Sequence, residues 1–429
     1  MKIYLFNPEH DMALASFSPF YKSPAEIIRM RDDLSALPVW FAAKDAFVWV
    51  ASPQYCIDFK NQCSFPGLNF KGGCLGGRCG DEQVVFSLSL CGNGPVVPEK
   101  KNILFQPPFV GDAVSASEPL IMPWGWDPAL VNYWLKNGVC ETYLPDTNQL
   151  SSIRSLSGRQ QCVKVLAGFK GWNLVCGEAS VCTTLDEVKN FLSIHTDVIL
   201  KAPWSGSGRG LTRTSLGTWN ANLEGWVRRI FRTQGFVMAE PIYNKVLDFA
   251  MEFHVNSLHQ LSFVGYSLFE TDSHGNYKGN VLMSNKRIIS KLTPYVSAGL
   301  IERVKAQLLS SLSSLLGTEY TGYFGVDMMV CEVDGLYCIH PCVEINLRMN
   351  MGLVARFLYD DYMSNHTEGH FVVEHYTKDG EALEHDCRMR DLFPAIVESG
   401  RMHEGYFPLT PVTSATRYQC YVICHPIHL

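Results

Sequence analysis

Residues 321–352, TGYFGVDMMVCEVDGLYCIHPCVEINLRMNMG, decide how this chain is read. Two runs rich in β-branched and aromatic residues flank Asp334-Gly335, a dipeptide suited to the two-residue turn of a β-hairpin. Pairing Val333 with Leu336 across that turn places Asp327 opposite Cys342. Side chains alternate between the faces of a strand, so Cys342, Glu344, Asn346 and Arg348 are expected on the face that Asp327 occupies. Asp327, Glu344 and Asn346 then supply three hard oxygen donors, with the Arg348 guanidinium at the strand end. Such a set suits Mg2+, which takes a few carboxylates together with substrate phosphates. Pro341 cannot donate to a ladder and signals an edge or a bulge that would shift the register. The acids alternate with apolar residues in a half-buried run, so a metal site is expected in preference to a solvated surface hairpin.

Around this hairpin lies a chain of 429 residues, long enough for two or three domains. Hydrophobic residues make up 47% and charged residues 18%, the balance of an ordinary soluble globular protein. A net charge of −6 gives no global reason to expect nucleic acid or an anionic membrane. Any phosphate site must then come from a local cluster of cations and backbone N–H groups. The apolar run Met1–Phe6 stops at Asn7-Pro8-Glu9-His10-Asp11, too short for a signal-peptide core. No run of about 18 apolar residues marks a membrane span. Fifteen cysteines, an odd number in a large chain, read as free thiols in a reducing cytoplasm. Cys56, Cys63, Cys74, Cys79 and Cys91 cluster early, and Cys420, Cys424, His425 and His428 late; neither group has the paired C-x2-C spacing of a zinc site. Buried structural thiols are the expectation for both.

KIYLF opens as a buried strand, and DAFVWVAS (45–52) and QVVFSLSL (83–90) are further apolar runs. Asp127 and Pro128 offer an N-cap and an N1 proline for a helix through ALVNYWLKNG that stops at Gly138. Strands alternating with helices predict a Rossmann-like α/β region over about 1–145, with 66–94 as an irregular loop or hairpin. No G-x-G-x-x-G follows the first strand, so a dinucleotide is not required there.

Two runs in the middle carry chemistry. In DVILKAPWSGSGRGLTRT (197–214) a strand ends at Lys201 and a small-residue loop follows, Ser205-Gly206-Ser207-Gly208-Arg209-Gly210. Glycines let backbone N–H groups approach phosphate oxygens, and the lysine adds a point charge. The lysine precedes the glycines, so this is no Walker A loop. In FVMAEPIYNKVLDFAMEFHV (236–255) a strand, a turn and a second strand are expected. Asp248, Ala250, Glu252 and His254 alternate there with Phe249, Met251, Phe253 and Val255, an apolar face against one that presents carboxylates to a cavity or to solvent.

In this order the three runs resemble the ATP-grasp superfamily over roughly residues 150–360. The resemblance implies an α/β (α+β) chain: an ATP-grasp fold preceded by a Rossmann-like domain. Its expected divisions are 1–150 for the preceding domain, 151–365 for the ATP-grasp domain and 366–429 for a C-terminal segment packed on the core. Within the middle part, 165–240 would bear the lid and 241–365 the metal and catalytic residues. By the same resemblance Lys201 is the lysine before the lid, and Ser205, Gly206, Ser207, Gly208 and Gly210 form the lid over the phosphates. Glu240 would face the adenine amino group, Ile242 would offer its backbone, and Asp248 would bind ribose. Arg159, placed better by spacing than Lys164, stands where the family has an earlier lysine. Asp327, Glu344 and Asn346 match the metal ligands. Glu344-Ile345-Asn346-Leu347-Arg348 matches the E-x-N-x-R pattern, whose arginine contacts the transferred phosphoryl group or the acyl phosphate.

The implied cofactors are ATP and Mg2+, with Mn2+ as a substitute. The implied reaction joins a small-molecule or peptide carboxylate to an amine or other nucleophile through an acyl phosphate, releasing ADP and phosphate, with Lys201 and Arg348 as catalytic residues. The acceptor pocket would draw on the N-terminal region, where the Asn7–Asp11 loop after the first strand is the candidate. Two other readings stand beside this one, an ATP-dependent phosphotransferase for a small alcohol and a nucleotide-binding protein without turnover. Neither nucleic acid nor membrane is expected as a partner, and an oligomer is compatible with the sequence.

Overall fold

The computed structural model describes residues 2–43, 46–63, 68–73, 85–90, 101–104, 120–206, 210–271 and 277–427. Cys74, Cys79, Cys91, Ser207, Gly208, Arg209 and His428 lie outside the described residues.

The hairpin turns where its sequence demands. Asp334 and Gly335 both take positive φ, 51° and 78°, the backbone of a turn whose twist matches its strands. Those strands are Gly322–Val333 and Leu336–Asn346. The simple register holds from Val333 opposite Leu336 as far as Met329 opposite His340 and then breaks. Asp327 stands opposite Glu344, not Cys342, because Pro341, Cys342 and Val343 together face Met328. Pro341 has no N–H for the ladder, and the bulge absorbs two extra residues there. A shift of two preserves the alternation beyond the bulge, so Glu344 and Asn346 keep the face of Asp327. Cys342, inside the bulge, leaves that face and joins the apolar cluster of Val326, Met328 and Ile345.

These two strands form one end of a nine-stranded sheet. Next to them run Asn244–Val255, Leu261–Thr271 and Tyr277–Leu282, followed by Thr367–His375, Tyr418–Pro426, Arg401–Pro408 and Ile396–Glu398. The segment after residue 365 therefore continues the large sheet with four strands of its own. Cys420 and Cys424, expected as buried structural thiols, are both buried in a core cluster. Phe249, Met251, Phe253 and Val255 line one side of Asn244–Val255 as their spacing predicts, packing into the cluster that also holds Phe324, Val326 and Met328. The helix Ala298–Leu316 closes this side with Leu300, Ile301, Val304, Leu308, Leu312 and Leu316, a stripe at helical spacing. The other side of the same strands bears the carboxylates, and the helix Met351–Phe357 covers it at Glu252.

A second, four-stranded antiparallel sheet orders Ser180–Cys182, Val237–Pro241, Val198–Lys201 and Leu211–Thr214. The strand-turn-strand run 236–255 is thus split between sheets. Val237–Pro241 belongs to the small sheet and Asn244–Val255 to the large one, with Ile242 and Tyr243 as the crossing.

The third sheet holds the first strand, Lys2–Leu5, in parallel between Phe47–Trp49 and Leu120–Pro123, with Lys101–Leu104 parallel beyond Phe47–Trp49. An antiparallel pair, Leu68–Gly73 and Val85–Leu90, extends this sheet at its edge. The helix Pro128–Lys136 starts as read, with Asp127 accepting the Leu130 N–H at 2.9 Å. No helix among the described residues is long and apolar enough to cross a membrane.

Candidate active site

Lys201 ends its strand opposite Met238, so Glu240, two residues further along the neighbouring strand, shares its face. Lys201 Nζ meets Glu240 Oε2 at 2.5 Å, and each residue is only 5% exposed. Glu240 is thereby engaged as the counter-ion of Lys201. The N–H of Ile242, expected to face adenine, donates to the Asp197 carbonyl at 2.9 Å. Asp248 accepts from Lys245 Nζ at 2.5 Å and from Thr271 Oγ1 at 3.1 Å.

Arg159 crosses from the small sheet to the large one. Its Nη1 donates to the Ala202 carbonyl and Ser205 Oγ, both at 2.6 Å, and its Nη2 to the Ser205 carbonyl at 3.1 Å and Glu344 Oε1 at 2.8 Å. Lys164, the alternative by sequence, is exposed on the helix Gln161–Ala167. Arg348 reaches further still. Its Nε and Nη2 donate to the two Asp11 carboxylate oxygens at 2.9 and 2.7 Å, and Nη2 also donates to Asn346 Oδ1 at 3.1 Å. Burial would push Asp11 and Arg348 toward their neutral forms, but their facing charges outweigh it. Asp11 is held below the ordinary carboxylate range and Arg348 above the ordinary guanidinium range. The same balance with Glu344 raises Arg159.

On the large sheet two cross-strand rows carry the acids. Ala250, Asp327 and Glu344 form one row, and Glu252, Gly325 and Asn346 the next. Asn346 Nδ2 donates to Asp327 Oδ2 at 2.9 Å. Burial, then the charge of Glu344, pushes Asp327 up to about 7. Among the described residues no three His, Cys, Asp or Glu side chains group as a metal site. The donor set that converges is two carboxylates and one amide, which suits a cation that keeps waters and takes phosphate oxygens. Two rearrangements would bring it to bear: Glu344 released by Arg159, and the Asn346 amide turned so that its oxygen faces inward.

Glu344, Asn346 and Arg348 border a small cleft walled also by His10, Asp11, Ser157 and Trp204; Lys201, Glu240, Asp248 and Asp327 are not among the residues that line it. The Asn7–Asp11 segment, expected as a loop after the first strand, instead opens the helix His10–Ser16 at its last two residues, and Asp11 reaches the acidic face from that first turn. His10 is 1% exposed, and its Nδ1 has no hydrogen-bond partner among the described residues and lies 3.9 Å from Asp127 Oδ2. At Gly206 a Cβ would stand 2.4 Å from Asp11 Oδ2, so the root of the glycine loop rests on the first turn of this helix as well. Ser157 and Trp204 carried no local pattern that could have marked them. Neither did His340, which burial and then the Lys201 charge push down to about 3, a neutral imidazole packed on Tyr243.

Glu252 does not face a cavity or solvent, as its alternation allowed. It is 1% exposed and accepts from Asn350 Nδ2 at 2.9 Å, while Gly325 and Gly352 leave no room for a Cβ beside its carboxyl group. Burial pushes it up to about 8. A carboxyl group raised in the folded state binds a proton there that the unfolded chain releases, so its contribution to stability is present at low pH. That contribution is lost as pH rises from the ordinary glutamate value through 8. Glu252→Gln should therefore flatten the stability profile between pH 6 and 8 by about 1.4 kcal/mol per pH unit. Urea unfolding of both proteins at each pH measures the slope, and parallel profiles would contradict the protonated reading.

No family profile matches the chain, and no curated protein matches it. Solved structures similar to it include N5-carboxyaminoimidazole synthetase from Staphylococcus aureus complexed with ADP, at 12% identity over 71% of this chain and 75% of that one, TM-score 0.40. The biotin carboxylase domain of Hydrogenobacter thermophilus 2-oxoglutarate carboxylase, in complex with MgADP, ADP and bicarbonate, shares 11% identity over 64% of this chain and 63% of that one, TM-score 0.43. Rhizobium etli pyruvate carboxylase shares 12% identity over 72% of this chain, which spans 29% of that much longer one, TM-score 0.46. The α/β class of this chain rests on its own sheets and helices. In this chain a small antiparallel sheet with a glycine loop at its edge stands beside a large antiparallel sheet with an acidic face.

Proposed function

We propose that the protein is an ATP-dependent ligase that joins a carboxylate to an amine through an acyl phosphate, releasing ADP and phosphate. The observation that carries this reading is the grip of Arg348 on a planar carboxylate, that of Asp11, by two hydrogen bonds of 2.9 and 2.7 Å beside the acidic rows. A fork that already binds a carboxylate in this place suits an acid substrate better than an alcohol.

In this proposal Asp327, Glu344 and Asn346 would hold Mg2+, or Mn2+ in its place, which would neutralise charge on the nucleotide phosphates. Lys201, Arg159 and the loop of Ser205, Gly206, Ser207, Gly208 and Gly210 bind the triphosphate and exclude water. Glu240, Ile242 and Asp248 border the nucleoside. A substrate carboxylate needs no general base, since it is already ionised; its oxygen attacks the γ-phosphorus and ADP leaves. Arg348 exchanges Asp11 for the acyl phosphate. The amine then attacks the acyl carbon and phosphate leaves. The proton that the amine sheds passes to the departing phosphate, while His10, buried against Asp127, forms part of the cleft wall.

Hydroxylamine tests the reaction class. With a suitable acid, ATP and Mg2+, an activated acyl group is intercepted as a hydroxamate. A phosphorylated alcohol as sole product, insensitive to hydroxylamine, would favour a phosphotransferase instead. Arg348→Lys should lower turnover about 100-fold while ATP affinity changes little, since a point charge cannot reproduce the fork. Equal losses in turnover and in ATP affinity would place Arg348 on the nucleotide rather than on the acyl group.

A further inference from the structure

The segment after the helix Gln161–Ala167 runs along the outer edge of the hairpin as a strap. Ile339 N donates to the Leu174 carbonyl at 3.0 Å and Cys176 N to the Ile339 carbonyl at 2.9 Å, with Val175 bridged in parallel to Ile339. Gly177 follows at φ 121°, against the ring of His340, which packs on Tyr243 at the crossing between the two sheets. Cys176 is thereby held over the hairpin, with its Sγ 3.0 Å from Cys331 Sγ, 155 residues away in sequence. On the strand of Cys331 the even-numbered residues Phe324, Val326, Met328 and Val330 fill the apolar cluster, so Cys331 shares the cleft face with Asp327 and Met329. Both thiols are free, Cys176 half-buried and Cys331 buried.

We propose that Cys176 and Cys331 form a reversible disulfide site for a small peroxide oxidant, which fastens the strap 174–178 covalently across the cleft face of the hairpin. Closing the pair to bonding distance requires about 1 Å of movement. With hydrogen peroxide, one thiol sulfur gains oxygen as the O–O bond breaks and water leaves. The other thiol attacks that sulfenic sulfur, the S–S bond forms and a second water leaves. Two thiols and one peroxide thus give one disulfide and two waters. Solvent reaches the pair from the side of Cys176. The other close thiols are placed less favourably: Cys338, opposite Cys331 on the hairpin, contacts Cys331 Sγ through its carbonyl at 3.8 Å, and Cys162 and Cys342 are only 2% and 1% exposed. This site does not depend on the ligase reading.

The test exposes the reduced full-length protein to hydrogen peroxide, alkylates the remaining thiols and maps the peptides without reduction. The expected result is a single linked peptide joining Cys176 to Cys331, the loss of two alkylatable thiols, and their return with dithiothreitol. Amide exchange at 174–178 should slow in the oxidised protein. Cys338→Ser should keep the link and Cys176→Ser should lack it. A link from Cys331 to Cys338, or Cys176 recovered as sulfinic acid beside an alkylated Cys331, would overturn the proposal.

Discussion

Asp327→Asn is expected to lower Mg2+-dependent turnover by about 10^3-fold or more while raising the melting temperature of the metal-free protein. Asp327 sits directly opposite Glu344 in the ladder, and burial with that like charge pushes it up to about 7. A carboxyl group so raised contributes stability that is present below the ordinary aspartate value and lost as pH rises through 7. The asparagine carries no such penalty, and its side-chain oxygen still accepts from Asn346. The gain should therefore be on the order of 1–3 kcal/mol at pH 8 and vanish near pH 4. Added Mg2+ reverses the order, because only the wild-type carboxylate pair gains from the cation. Thermal melts at the two pH values, with and without MgCl2, beside an ADP-release assay, check this. A variant that melts lower without metal, or that keeps full activity, would remove Asp327 from the metal role.

Lys201→Ala should damage both folding and nucleotide binding, and the two can be separated. Lys201 and Glu240 are each 5% exposed and meet at 2.5 Å, so removing the lysine leaves a buried carboxylate without its partner. That costs about 3–5 kcal/mol of stability. Loss of one charged phosphate contact weakens ATP affinity by on the order of 1.5–3 kcal/mol, about tenfold or more. In the pair Lys201→Gln with Glu240→Gln no charge is stranded, so denaturant stability should return to near wild type while ATP affinity stays low by calorimetry. If affinity recovers together with stability, Lys201 is a structural ion pair and the phosphate role belongs to Arg159 and the glycine loop.

What could be read from residues in order was what adjacent residues dictate. Asp334-Gly335 specified a turn because few dipeptides accept positive φ at both positions. Alternation specified which side of Asn244–Val255 packs and which side bears carboxylates. Asp127-Pro128 and Gly138 bounded a helix through their own hydrogen-bonding and φ preferences. Even the bulge was visible as Pro341, although not its size, which depends on how many residues the neighbouring strand and the core beneath can absorb. For that reason the face of Glu344 was legible and its partner was not.

The pairings that make the cleft were decided only in three dimensions. Arg348 grips Asp11 across 337 positions of chain, Arg159 meets Glu344 across 185, and Cys176 meets Cys331 across 155. No periodicity or spacing encodes such contacts, because each joins elements whose approach is set by the packing of three sheets. The burial that keeps Glu252 protonated likewise comes from distant residues, with Gly325 and Gly352 against its carboxyl group, and His340 is kept neutral by burial and then by the charge of Lys201. Sequence alone determined which side chains carry charge and which face of a strand they take, since those follow from covalent geometry. Tertiary structure decided which charges meet and how far water is excluded from them, and those two quantities set what the charges can do.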